Sequence, residues 1–188
     1  MSLVTVLVLV VHLPLTAGGT PSGREPAAAQ VAYDQRIDLQ KLPRPVREMV
    51  DAILVAVHSG QIEDLRTALE WNEMQPALAP DKVEDPIEFL KSASDDKQGR
   101  EILAVLGDLL AVGPARLKLG RDLENNEVYV WPYLAELDID ALKPSEVVDL
   151  YRLVPAAVIA QMRNAKKWTS YRIVIGADGT WHSFMKHN

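Results

Sequence analysis

The sequence predicts an α+β fold: a helical N-terminal half packed on a small antiparallel sheet of about four strands formed by two hairpins. Three observations carry that expectation. Apolar residues recur at three- and four-residue spacing between Pro43 and Val112, the period of helices that each bury one stripe. The period changes to two near Ala115 and again after Lys167, as strands with two unlike faces require. Strands and helices do not alternate in the βαβ manner, which argues against a doubly wound parallel sheet.

Taken in order, Pro43 to His58 reads as a helix with Val46, Met49, Val50, Ile53, Leu54 and Val57 on one stripe, and Pro45 is tolerated in a first turn. Ser59-Gly60 ends it, and Gln61 to Trp71 continues as a second helix on Ile62, Leu65, Ala68 and Leu69. The two should form an αα-hairpin. No second copy follows at any period of a helical repeat, so a solenoid is not expected. Met74 to Asp85, with Pro76 and Pro80, reads as loop. Asp85-Pro86 opens a short helix to Ala93, and Arg100 to Val112 is a third strong helix stopped by Gly113-Pro114. Ala115 to Leu119 and Val128 to Trp131 then read as a hairpin whose long loop holds Glu124-Asn125-Asn126-Glu127, ended by Pro132. Ala141 to Asn164 returns to helix in two pieces opened by Pro144 and Pro155. The clearest hairpin is last: Trp168 to Ile175 and Thr180 to Lys186 alternate around Gly176-Ala177-Asp178-Gly179, a turn with the glycine a left-handed position needs.

At the N-terminus, Leu3 to Leu15 is an apolar run broken only by Thr5, His12 and Pro14. It is shorter than the roughly 20 residues a membrane span needs and fits the apolar core of a signal peptide. Small residues follow at Ala17, Gly18 and Gly19 and again at Ala27, Ala28 and Ala29, the two places that suit cleavage. Met1 and Ser2 supply no basic side chain, which an upstream start would remedy; an uncleaved anchor and a buried strand are the competing readings. The expected organisation is therefore signal peptide and linker over 1–29 and one α+β domain over 30–188, helical over 43–112 and mixed over 114–188. The product would be a protein of the periplasm or outside the cell, with no stable membrane span once the leader is removed.

Composition narrows the function classes. A formal net charge of −6 over 188 residues is the reverse of a nucleic-acid binder's balance. The absence of cysteine removes disulfides, thiolate metal sites, a cysteine nucleophile and a lipid anchored on cysteine. No cofactor motif is present: the glycines at 176 and 179 sit in a hairpin turn and not at a strand-to-helix junction that would cradle phosphate. No metal-binding motif joins the four histidines, and no G-x-S-x-G is found.

Tyr129-Val130-Trp131-Pro132-Tyr133, with Ile175-Gly176-Ala177-Asp178-Gly179-Thr180-Trp181 near the end, resembles a group of uncharacterised exported proteins from alphaproteobacteria. The likeness covers roughly the last 75 residues and more loosely the helices before them. It implies export and a bacterial source, and carries no activity with it.

Two features stand out as candidates for binding. Eight of the eleven aromatic residues lie between Tyr129 and Phe184, so Trp131, Tyr133, Trp168 and Trp181 are candidates for a platform on which sugar rings stack, with Trp131-Pro132-Tyr133 the part expected at the surface. The plainer reading is that they are core and cross-strand pairs of a small sheet. From Ala160 onward, Arg163, Lys166, Lys167, Arg172 and Lys186 face only Asp178, a basic, aromatic C-terminal face suited to an anionic glycan or membrane surface; Arg172 and His182 join the candidate binding residues, with a cell-envelope glycan or another envelope protein as the candidate partner. The plainer reading of this face is that it is solvated and paired with the acidic body. Ser170 and His182, with Asp178 in the turn, are the one arrangement that hints at catalysis, and Glu124 and Glu127 read as a soluble hairpin tip. The leading expectation is a non-enzymatic exported binding or interaction protein. The alternatives are a small cell-wall-directed hydrolase using His182 and a structural or assembly protein using its helical half.

Overall fold

A computed structural model of the chain describes residues 38–119 and 127–187. The expected leader, the linker, and the hairpin tip with Glu124 lie outside the described residues.

Helix α1 (Arg44–Ser59) buries Val46, Met49, Val50, Ala52, Ile53 and Ala56, and ends where Gly60 takes φ 68° and returns its N–H to Ala56. A single 3-10 turn, Ile62–Asp64, leads into α2 (Leu65–Glu70), so the second helix of the hairpin is shorter than its apolar stripe suggested. Helix α3 (Pro86–Ala93) starts on Asp85, whose Oδ1 accepts the N–H groups of Ile87 and Glu88 at 2.9 and 3.2 Å, and α4 (Arg100–Val112) follows. Strand β1 (Ala115–Lys118) pairs antiparallel with β2 (Glu127–Trp131). After two short 3-10 turns come α5 (Pro144–Leu153) and α6 (Ala156–Ala165). Strands β3 (Tyr171–Gly176) and β4 (Trp181–Lys186) close the chain. The third strand begins three residues later than the alternation suggested, because Trp168 turns inward and its indole N–H donates to the Tyr171 carbonyl at 3.1 Å. Among the described residues no helix is long and apolar enough to cross a membrane.

The two hairpins share one sheet, in the order β1-β2-β3-β4, because β2 pairs antiparallel with β3 across the α5–α6 excursion. Alternation divides the sheet's side chains. Tyr129, Trp131, Ile173, Ile175, Trp181 and Phe184 face the helical half and form one core with α1 to α4. Leu117, Val128 and Val130 cluster together with Val174 packed against them. A further core gathers Val112, Ala115, Tyr133, Leu134, Leu150, Ile159, Met162 and Trp168 around α5 and α6.

The outer edge of β4 is partly covered by the Met74–Asp85 loop. Ala77 donates its N–H to the His182 carbonyl and accepts the Phe184 N–H, both at 2.9 Å, in a parallel bridge. That cover hides one step of an edge that would otherwise be open to strand pairing. Asn72 fastens the same region. Its Oδ1 accepts the Trp181 N–H at 2.7 Å while its Nδ2 donates to the Ala68 carbonyl at 3.0 Å. Asn72→Ala should therefore cost about 1–2 kcal/mol, read as a lower urea midpoint with an unchanged slope. An effect within about 0.5 kcal/mol would mean the two bonds are replaced by water without loss.

Candidate functional site

The predicted aromatic platform is not at the surface. Trp131 and Trp181 are wholly buried, Tyr133 and Trp168 nearly so. Trp131-Pro132-Tyr133, expected to leave the strand into solvent, instead turns through a cis peptide between Trp131 and Pro132 into a buried 3-10 turn. The reason is area: each of these rings removes on the order of 150–250 Å² from water when buried, more than an aliphatic neighbour does. Tyr133 keeps its hydroxyl satisfied inside by donating to buried Asp149 at 3.0 Å. The Trp131 indole N–H has no partner among the described residues, and nothing of it is offered to a ligand. The four rings serve packing, and a sugar-stacking platform built from them is excluded.

His182 stands differently. Ile175 pairs with Trp181 and Val174 with Ser183, so the register slips by one and His182 has no cross-strand partner. A bulge of this kind redirects a side chain, and here it turns His182 outward to line a groove of about 620 Å³ together with Glu73, Asp81, Lys82 and the Gln75–Pro80 segment. A Cβ placed on Gly176 would stand 2.6 Å from Asp178 Oδ1 and 2.8 Å from His182 Nε2, so the carboxylate and the imidazole both close over that glycine. The predicted third member is absent: Ser170 lies at the far end of the hairpin, where its carbonyl accepts the His187 N–H at 3.1 Å. Among the described residues no side-chain hydrogen bond holds the His182 ring, and no group of three or more histidine or acidic residues is placed to bind a metal ion.

The basic C-terminal face is split. Arg172 is ion-paired with Glu136, and neither is well exposed. Arg163, Lys166 and Lys186 stay in solvent. The C-terminal His187 lies beside Arg172, Glu136 and Lys167. Partial burial, reinforced by the two cations and opposed by Glu136, holds its pKa below the ordinary value of 6.5. The unfolded chain then binds this proton more readily than the folded one. Stability from this group is complete above the ordinary value and is lost as pH falls from there through the folded value. The urea midpoint should drop as pH falls from about 7.5 through the ordinary histidine value, and His187→Gln should flatten that part of the profile; an unchanged slope in the variant would show that other groups cause it.

One surface feature was not anticipated from the sequence. Trp71, just past α2, is 57% exposed, and Val55, on the outer side of α1, is 60% exposed. Between them runs a groove of about 300 Å³ bordered also by Glu48, Asp51, Ala52 and Thr67. A smaller hollow of about 170 Å³, also bordered by Trp71, is lined by Pro45, Glu48, Met49, Asp178, Gly179 and Thr180. Met74, 82% exposed, follows in the next loop. A signal for this was present: at about 100° per residue, Val55 falls roughly half a turn from the buried stripe of α1, and Trp71 falls off the Leu65-Ala68-Leu69 stripe. Large apolar groups placed against the periodicity are the pattern of a contact surface. No family model matches this chain, and no match is found among curated proteins or solved structures.

Proposed function

We propose that this chain is an exported interaction protein of the periplasm or cell exterior whose partner surface is the α1–α2 hairpin around Trp71. The observation that carries the reading is the joint exposure of Trp71 and Val55 on the two sides of one groove. Exposing a Trp and a Val this far leaves apolar area in water at roughly 25 cal/mol per Å², a cost that a partner would recover. Tryptophan is also the residue most enriched among those that dominate binding energy. With the sheet aromatics buried, this reading puts the binding role on the α1–α2 helices in place of the sheet residues to which composition pointed. Export rests on the Leu3 to Leu15 run and the small residues after it.

Site-specific photo-crosslinking in the producing cells tests the surface. A crosslinker at Thr67, inside the groove, should yield a discrete adduct, while one at Gln161 on α6 should not; adducts at neither position, or at both equally, overturn the reading. Sequencing the N-terminus of protein from fractionated cells tests export, because an intact Met1 in the cytosolic fraction contradicts it. A second reading is favoured by one observation: His182 lines a groove of about 620 Å³ together with two carboxylates, Glu73 and Asp81. In that reading the chain is a small cell-wall-directed hydrolase with His182 as general base. Clearing of cell-wall material by the purified chain, abolished in His182→Ala, would support it, and no clearing by the unaltered chain would remove it.

A further inference from the structure

The partner surface around Trp71 has a charge that is as one-sided as its apolar character. Glu48 and Asp51 border the groove on the Val55 side. Glu48 again and Asp178 border the second hollow that Trp71 lines. Among the described residues neither is bordered directly by a lysine, arginine or histidine. The exposed indole therefore sits among three carboxylates, with Arg44 paired to one of them as the nearest cation on the helix. Two of these carboxylates are already engaged, but weakly or locally. Glu48 meets Arg44 at 2.7 Å in a pair whose side chains are 81% and 50% exposed, a surface contact of small worth and easily exchanged. Asp178 accepts its own turn's Thr180 N–H at 2.9 Å, beside the His182 ring over Gly176. Asp51 has no ion-pair partner among the described residues.

Resting on the reading of this face as a partner surface, we propose that its occupant is a basic polypeptide segment of another protein, with an arginine or lysine side chain laid on the Trp71 ring and an apolar side chain between Trp71 and Val55. The chemistry selects this class. The face of an indole attracts a cation, and best of all a guanidinium that also stacks on it. The carboxylates of the two hollows that Trp71 lines can then meet the cation's N–H groups, whereas they repel a phosphate, an anionic glycan or an anionic lipid surface. The apolar wall of Ala52 and Val55 gives such a segment a second contact, so charge supplies the choice of partner and burial supplies part of the affinity.

The test uses the full chain and three amidated hexapeptides in which leucine alternates with arginine, with glutamine or with glutamate. The readout is the indole N–H resonance of Trp71, assigned by its loss in Trp71→Phe. The arginine peptide should shift that resonance at low salt with an affinity about ten-fold or more above the glutamine peptide's, and added salt should weaken it. The double variant Glu48→Gln/Asp51→Asn should lower the arginine peptide's affinity about five-fold or more, with the thermal midpoint checked to show that the fold is kept. Equal binding of the glutamine and arginine peptides overturns the cationic occupant and leaves the partner surface standing. Preference for the glutamate peptide overturns the inference as well. No shift with any peptide also overturns it, and the Thr67 crosslink then decides separately whether the face has a partner at all. A Trp71 resonance that moves on simple dilution, without peptide, would assign the face to a second copy of this chain and overturn the basic partner.

Discussion

Trp181→Ala should destabilise the fold by about 3–5 kcal/mol. Trp181 has no exposed surface and belongs to the core that joins the sheet to α1–α4. Its indole N–H donates to the Ser183 carbonyl at 3.1 Å, and its backbone N–H to Asn72 at 2.7 Å. Alanine keeps the second bond and loses the first, and it opens a cavity between rigid elements that have little room to collapse. The carbonyl of Ser183 is left without the indole donor, which adds to the transfer and cavity costs. Set against a typical total of about 5–15 kcal/mol, this loss removes much of the folded state's margin. Urea unfolding followed by far-UV circular dichroism measures it. A loss under about 1.5 kcal/mol would show that the helical half shifts to fill the space.

Gly179→Ala is expected to have an effect of similar size from a different cause. Gly179 has φ 90°, and an added Cβ would stand 2.8 Å from the Pro45 carbonyl oxygen and 3.0 Å from its carbonyl carbon. The left-handed backbone costs an L-residue about 1–2 kcal/mol. The overlap is with backbone in the first turn of α1, not with a flexible side chain, so relief needs a shift of the hairpin or the helix, worth about 1–3 kcal/mol more. Together these give about 2–5 kcal/mol. Gly60→Ala separates the two parts. Gly60 also has positive φ, 68°, but nothing lies within 4 Å of the position an added Cβ would take, so it should lose only the conformational share. Thermal unfolding of both variants side by side checks this, and equal losses would show that the contact with Pro45 yields freely. The same variant bears on the partner surface, because Gly179 borders the hollow beside Trp71. A hairpin pushed away from Pro45 would widen that hollow.

Most helices and strands were legible because their apolar period shows over a few residues, even where, as in β4, it is later broken. The α4 stripe, Ile102-Leu103-Leu106-Leu109-Leu110, admits no other reading, and the Asp178-Gly179 turn names its hairpin. The site was far less legible, for reasons seen in particular residues. Strict alternation along β4 sets Trp181 and Phe184 on opposite faces, three residues apart, and leaves one of the two rings for the surface. The bulge at His182 brings both into one core. Nothing local demands that bulge; it follows from the requirement that both rings leave water, and it decides at the same time that His182 faces the groove. The aromatics around Tyr129 to Tyr133 likewise look equally suited to a binding face or a core until the helical half is laid over them.

The kind and order of the elements could be read from the chain directly, since hydrophobic period, proline and glycine act over a few residues and need no distant partner. Its acidic balance and lack of cysteine also bounded the chemistry before any fold was known. Three outcomes came only with the packed layers: β2 and β3 are the strands that join the two hairpins in the expected sheet, the predicted platform is interior, and Trp71 and Val55 stay outside among carboxylates. Those outcomes depend on which faces meet across long stretches of chain. Burial is a property of the assembled layers, and a ring's place inside or outside is settled only when the last layer is in position.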